Sequence, residues 1–303
     1  LMKSRGFPFS VPTEAGPKPA VATFHPAAVM SGGAQKRLGR RWREVVRADV
    51  RKAVRNAYGR LEWVEPEILW DPTLGEFEGA LARLATARVI GVDTETGPGP
   101  NGETAVDPEC ATLRCIGLGG VVDGRAFGTC PGLVSIERPA RPLRMDVESL
   151  RVRVRNFLAR GVAGGDLVFC GNNVNVFDRR VLERAGMPLP PYLSVYDNTA
   201  LHHDSDESEL PHDLNYQMSR YTDSPRHKPG HGHDAWTSDM ELRRYCGFDA
   251  VGSAMLAPML IDRVNACEMG DAYQADVSVL QRLCVNLRRA GLRLDPAEQA
   301  RHD

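Results

Sequence analysis

The segment Val89-Ile90-Gly91-Val92-Asp93-Thr94-Glu95-Thr96 constrains this chain more than any other. An apolar run without a polar break reads as a strand buried on both faces. Here it stops at acids. Residues two apart on a strand leave it on the same face, so Asp93 and Glu95 are predicted side by side at the end of a core strand. The Gly/Pro stretch through Gly102 reads as a rigid turn. Burying like charges is tolerated only where something neutralises them.

The remaining pattern supplies a mixed α/β fold. Leu113 to Leu118 and Ala126 to Thr129 are predicted partner strands around the turn Asp123-Gly124, and Leu167 to Cys170 is a second buried strand. Helical spacing covers Val147 to Leu158, Asn173 to Leu182, two segments within Thr199 to Tyr221, Met240 to Val264 and Val277 to Leu287. Thr73 with Glu76 has the form of a capping box ahead of Phe77, Ala80, Leu81 and Leu84. Residues 61–72 read as a linker, Gly117-Leu118-Gly119-Gly120 as the end of a strand, and His202-His203 as exposed helix surface. Strands early and helices late, with βα units between, predict a mixed sheet flanked by helices.

Composition narrows the class. The 303 residues are 42% apolar and 25% charged with a formal net charge of −1, a globular balance that excludes wholesale disorder. No window approaches 18 uninterrupted apolar residues, so no membrane span or membrane partner is expected, and no secretory signal is visible. Seven scattered cysteines, never spaced C-x-x-C, argue against a disulfide framework or a four-cysteine zinc site and for a reducing, cytoplasmic compartment of a prokaryotic or viral host. Charge is concentrated between Lys36 and Arg60, where ten basic residues face only Glu44 and Asp49. With Trp42, Val45, Val46, Val50, Ala53 and Val54 at helical spacing, this is a basic amphipathic helix, either a solvated face or one that meets phosphates.

Two further acids extend the first pair. Asp178 stands where a helix starts behind the second buried strand, and Tyr245 and Asp249 lie one turn apart on the long helix. Converging carboxylates are relieved by divalent cations, and hard oxygen donors select Mg²⁺ or Mn²⁺. The ordered set Asp93-Thr94-Glu95, then Asn173-Val174-Asn175-Val176-Phe177-Asp178, then Tyr245-Cys246-Gly247-Phe248-Asp249 resembles the three motifs of the DEDD exonuclease superfamily, in its tyrosine subclass. The resemblance covers residues 75–265. It implies a ribonuclease-H-like 3′→5′ exonuclease fold and two metal ions, with Asp93 bridging them, Glu95 and Asp249 on the nucleophile side and Asp178 on the leaving-group side. It makes Tyr245 the residue that orients the attacking water, a task Glu95 could share, and Thr94, Asn173 and Phe177 substrate contacts; Asn173 serves equally as a helix start.

The flanks sharpen the expected substrate. Tyr196-Asp197-Asn198-Thr199-Ala200-Leu201 and Leu210-Pro211-His212-Asp213-Leu214 resemble the stretch between the second and third motifs, and residues 280–295 are similar to the approach to the polymerase domain of family A DNA polymerases. The resemblance implies a proofreading domain that takes a single-stranded or frayed DNA 3′ end, with a polymerase domain downstream. One departure stands out: the apolar wedge of that family falls here on Gly99. A ribonuclease-D-like RNA exonuclease shares all three motifs, and a nucleic-acid-binding scaffold with a vestigial site is the non-enzyme alternative.

Two other regions carry weaker patterns. Residues 18–30, KPAVATFHPAAVM, followed by the basic helix, resemble the C-terminal end of a family 4-type uracil-DNA glycosylase, with His25 as the base contact and no water-positioning motif beside it. This implies a DNA-binding remnant over residues 1–60, an exonuclease domain over 61–268 and a polymerase lead-in over 269–303. His227, His231 and His233 lie in a Pro/Gly loop that reads as meeting the DNA backbone rather than zinc, since no fourth ligand is in view.

Overall fold

A computed structural model of the chain describes residues 5–24, 36–137, 142–163, 167–207, 211–226 and 238–290, without the side chains of 36–42 and 162–163. In chain order the strands are β1 (Pro8–Val11), β2 (Lys18–Val21), β3 (Glu67–Leu69), β4 (Val89–Gly97), β5 (Thr112–Val122), β6 (Arg125–Thr129), β7 (Val168–Gly171) and β8 (Val195–Asp197). The helices are α1 (Lys36–Ala57), α2 (Leu74–Leu84), α3 (Val147–Ala163), α4 (Asp178–Arg184), α5 (Asn198–Ser205), α6 (Leu214–Tyr221), α7 (Asp239–Ala266), α8 (Gly270–Ala275) and α9 (Arg282–Ala290).

Six strands form one mixed sheet in the order β3-β6-β5-β4-β7-β8. β4 is central, antiparallel to β5 and parallel to β7. Alternation along β4 and β5 sorts the two faces. Ile90, Val92, Ile116 and Leu118 point toward α2 and α3 and pack with Phe77, Leu84, Leu150, Leu158 and Phe169. Each such side chain contributes about 1.5–3 kcal/mol on burial, which anchors β4 firmly enough to carry charge at its far end. The other face carries Gly91, Gly117 and Gly119. A Cβ at Gly91 would sit 1.8 Å from the Ala250 carbonyl oxygen, and one at Gly117 2.5 Å from that of Cys246. Side chains there would hold α7 off the sheet. Their lack brings the helix backbone into contact. α7 is then covered on its outer side by Leu201, Met218 and Phe7.

The capping box forms as predicted, with Thr73 N–H donating to Glu76 at 2.7 Å. The Asp123-Gly124 turn has φ of 50° and 74°, the left-handed pair that closes a tight hairpin. Several expectations need correction. Residues 61–72 hold β3, which pairs with β6 in parallel and closes the sheet edge. β4 does not stop at Asp93 but runs through the acids to Gly97, with a register shift after Glu95. Gly117-Leu118-Gly119-Gly120 lies mid-strand, because the glycines are needed opposite α7. The helix expected from Asn173 begins at Asp178. His202 is buried, bonded through Nε2 to the Tyr221 hydroxyl at 3.0 Å, and only His203 is exposed. The last predicted helix starts earlier, since α8 continues through a π-helical turn at Asp276–Gln281 into α9.

The basic helix is α1, and its apolar stripe is only partly buried. Val50 and Val54 are exposed, while Val45, Asp49 and Lys52 face inward. Asp49 accepts from Arg5 and Thr23, both at 2.7 Å, and Lys52 Nζ donates to the carbonyls of Gly6 and Thr222 at 2.9 and 2.6 Å. With the β1–β2 hairpin, α1 is thus clasped to the end of α6 by polar groups. Among the described residues no helix is long and apolar enough to cross a membrane.

Candidate active site

Gly91, Asp93 and Glu95 share the α7 face of β4. Opposite Asp93 in the register stands Gly117, so no β5 side chain occupies the space above it. Glu95 is buried, and the Asp93 Oδ2 atom is buried without a hydrogen-bond partner among the described residues. Thr94 points to the opposite face, where its hydroxyl donates to Asp178 Oδ1 at 2.6 Å.

Asp178 arrives through the crossover that follows β7. Asn173 adopts φ of 63°, a left-handed conformation that asparagine tolerates better than most residues. Asp197, at the end of β8, fixes this turn. Its carboxylate accepts from the main-chain N–H of Asn173 at 3.1 Å, Asn175 at 3.2 Å and Thr199 at 3.0 Å, capping α5 as it does so. Arg179 reinforces the arrangement with hydrogen bonds to Asn175 Oδ1 and the Pro190 carbonyl. Asp178 is therefore the first residue of α4, with Phe177 half-buried against the core just before it. The main-chain N–H of Asn173 is held by Asp197, whereas its side chain does not cap α4.

Tyr245 and Asp249 complete the set from α7, stacked one turn apart with the phenol hydrogen-bonded to the Asp249 carboxylate. The four sequence-predicted acids and Tyr245, together with Thr94, Asn173 and Phe177, line a single cavity of about 280 Å³. Thr96, Val106, Asn172 and Asp213 line it too. Among the described residues its lining holds five carboxylates and no lysine, arginine or histidine. A larger cavity of about 940 Å³ lies between α1 and α7, where Asp223 is paired with Arg55 at 2.6 Å.

Burial and neighbouring acids shift the titrations of Asp93, Asp178 and Tyr245. Burial, then the charges of Asp249, Asp178 and Glu95, drive the Asp93 carboxyl well above its ordinary range. Burial pushes Asp178 up to about 7 against the opposing hydrogen bond from Thr94. Burial, with the neighbouring acids, drives the Tyr245 phenol above its usual range, so at neutral pH it donates a hydrogen bond and cannot serve as a base. Converging buried carboxylates, one of them with a buried oxygen that no described residue bonds, have the donor chemistry of a hard divalent cation site. Asp93, Glu95, Asp178 and Asp249 are the residues that would hold it.

The supporting residues were harder to find in the sequence. Asp197 and Asp213 lie in the stretches flanking the motifs, yet their work as caps emerges only here; Asp213 Oδ1 accepts from the Tyr216 N–H at 2.8 Å at the start of α6. An Asp before a helical run was the signal available. A cluster with no sequence signal is Cys115, Cys130 and Cys246, whose sulfurs lie within 4.8 Å of one another behind Asp93. Gly99, the expected wedge position, has no room for a side chain, since a Cβ there would approach Glu103 Oε2 to 2.4 Å. His25, His227, His231, His233 and residues 291–303 lie outside the described residues.

No protein-family model matches the chain, and no curated protein matches it either. Solved structures do. A nuclease in its apo form is 14% identical over 77% of this chain and 100% of its own, with a TM-score of 0.50. NrnC of Brucella melitensis bound to pGG is 15% identical over 77% of this chain and 100% of its own, at a TM-score of 0.49. The catalytic core of RRP6 from Trypanosoma brucei is 13% identical over 91% of this chain and 66% of its own, at 0.48. At such identities what is shared is the architecture: this chain has a ribonuclease-H-like α/β fold, a mixed central sheet flanked by helices.

Proposed function

We propose that this chain is a metal-dependent 3′→5′ exonuclease that hydrolyses DNA from its 3′ end and releases nucleoside monophosphates. The observation that carries the reading is the cavity at the end of β4, where Asp93, Glu95, Asp178 and Asp249 converge and one Asp93 oxygen is buried without a hydrogen-bond partner among the described residues. Two Mg²⁺ or Mn²⁺ ions held there would supply Lewis-acid stabilisation of the attacking and leaving oxygens of a phosphodiester. The protein's own part is positional. Tyr245 stays a neutral phenol and orients a water by hydrogen bonding, and Glu95 lies beside it to share that task. Thr94 holds the Asp178 carboxylate toward the cavity, and Phe177 and Val106 offer apolar surface to a terminal base.

DNA as substrate, proofreading as role and a downstream polymerase domain as partner rest on the resemblance of residues 280–295 to the polymerase approach. The free thiols of all seven cysteines fit a cytoplasmic setting. The test uses end-labelled single-stranded DNA and RNA of matched sequence with Mg²⁺ or Mn²⁺. Expected is stepwise shortening of DNA from the 3′ end, release of monophosphates and loss of activity in EDTA. Full activity in EDTA, or degradation from a blocked 3′ end, overturns the assignment. Faster cleavage of the RNA transfers it to the ribonuclease-D-like alternative.

A further inference from the structure

Behind the carboxylate cavity the fold assembles a second donor set of opposite chemical character. Cys115 stands on β5 opposite Glu95, on the sheet face that meets α7. Cys130 follows β6, with its main-chain N–H donating to the Leu69 carbonyl at 2.9 Å. Cys246 lies on α7, one residue after Tyr245, and its thiol donates to the Asp93 carbonyl at 3.6 Å. All three side chains are fully buried, and their sulfurs lie within 4.8 Å of one another. The residues are far apart in sequence and come from three separate segments, so only the closed fold brings them together.

We infer that Cys115, Cys130 and Cys246 form a binding site for a soft, thiophilic metal ion, distinct in chemistry from the hard-oxygen site on the other side of the Asp93 main chain. Metal–sulfur bonds of about 2.3 Å put three sulfurs about 4 Å apart in a trigonal set, and the three sulfurs here lie within 4.8 Å of one another. Thiolates select Cu⁺ or Zn²⁺ over Mg²⁺ or Mn²⁺. Three sulfurs alone satisfy a three-coordinate ion such as Cu⁺. A tetrahedral ion such as Zn²⁺ needs one donor more, and the Asp93 carbonyl oxygen beside Cys246 is at hand. Binding displaces the thiol protons to solvent. The cluster is buried and packed with Leu242 and Ile136. An ion must therefore enter before α7 closes onto the sheet, which makes uptake part of folding. Because Cys246 touches the Asp93 carbonyl, an ion here would also stiffen the junction of β4 and α7 from which the acids project.

The test unfolds the reduced, full chain and refolds it anaerobically with Zn²⁺, Cu⁺ or, as an absorbing stand-in for Zn²⁺, Cd²⁺, followed by desalting. Expected is retention of about one ion per chain, with a thiolate-to-metal charge-transfer band in the Cd²⁺ or Cu⁺ arm and a sulfur-rich shell by X-ray absorption. Cys130→Ala is expected to retain at least about tenfold less. Cys267→Ala, at an exposed position, and Asp93→Asn, which disarms the oxygen site, are expected to retain as much as wild type. The arm that survives competition by a chelator identifies the ion. No ion retained in any arm overturns the inference, as does equal retention by Cys130→Ala. Should that variant fail to fold, the wild-type shell decides: a shell of oxygen and nitrogen without sulfur places the metal elsewhere and overturns it.

Discussion

At the junction of α1 with α6, buried charges answer one another. Arg5 and Asp49, 4% and 2% exposed, pair at 2.7 Å, and Arg5 also donates to Ser219 Oγ and lies over the Tyr216 ring. Lys52 donates to main-chain carbonyls, and its ammonium is pushed down to about 8, first by burial and against the pull of Asp223 and Asp49. In the cavity at the end of β4, four carboxylates converge beside a phenol and a threonine, and one Asp93 oxygen has no hydrogen-bond partner among the described residues. Two buried polar clusters in one molecule thus resolve their charge differently. The first is complete in itself and holds the N-terminal hairpin and helix to the body. The second gathers like charges on donors whose chemistry suits a divalent cation.

This contrast breaks most directly at Asp93. Asp93→Asn is expected to lower hydrolysis by on the order of 10³-fold or more while raising the stability of the metal-free protein, because one of the repelling charges is gone. Single-turnover rates and urea melts in EDTA check both halves; a destabilised Asp93→Asn would place Asp93 with the structural charges instead. Asp49→Ala should do the reverse. Stranding Arg5 in the interior is expected to destabilise the fold by about 3–5 kcal/mol, and the cation-induced shift in urea midpoint should survive intact. A loss of cation response would mean that the two clusters are coupled.

Tyr245→Phe sharpens the comparison within the cavity. Orienting groups contribute typically about 10²–10⁴-fold, and with Glu95 beside it the loss is expected near the lower limit, with cation affinity unchanged by calorimetry. A change more damaging than Asp93→Asn would reverse the roles given to the two residues.

The smallest effect is on melting. The Asp178 carboxyl sits at about 7 in the fold against 3.8 when unperturbed, so between those values the native state binds more protons than the unfolded chain and stability falls as pH rises. In EDTA the melting temperature is expected to drop across that window, by about 2–4 °C for each kcal/mol lost. Mg²⁺ should restore it at neutral pH and do little near pH 4, where protons already fill the site. A metal-free protein whose melting point climbs from pH 4 to 7 would contradict the one-sided charge of the cavity.

How much of this was legible beforehand follows from the range of the interactions involved. Local rules reached the capping box at Thr73, the Asp123-Gly124 turn and the apolar run of β4, because each depends on neighbours within a few residues. They misread β3 as linker, since a three-residue edge strand has too short a period to register and exists only through pairing with β6. They reached α1 as a basic helix but not its contacts: Asp49 turns inward to Arg5 and Thr23, and Lys52 to the carbonyls of Gly6 and Thr222, pairings with no periodicity to read.

What the sequence by itself determined is the set of acids, their order and the strand that carries the first pair, because alternation and helical spacing fix which side chains share a face. What only the tertiary structure decided is which groups meet across the chain. Thr94 turns away from the cavity's first acids to hold Asp178, since neighbouring strand positions point to opposite faces. Asp197 closes a loop more than twenty residues upstream. Three cysteines with no common spacing converge behind Asp93 because Gly91 and Gly117 admit α7 to the sheet. Contacts of that kind carry no periodicity, and only the packed fold supplies them.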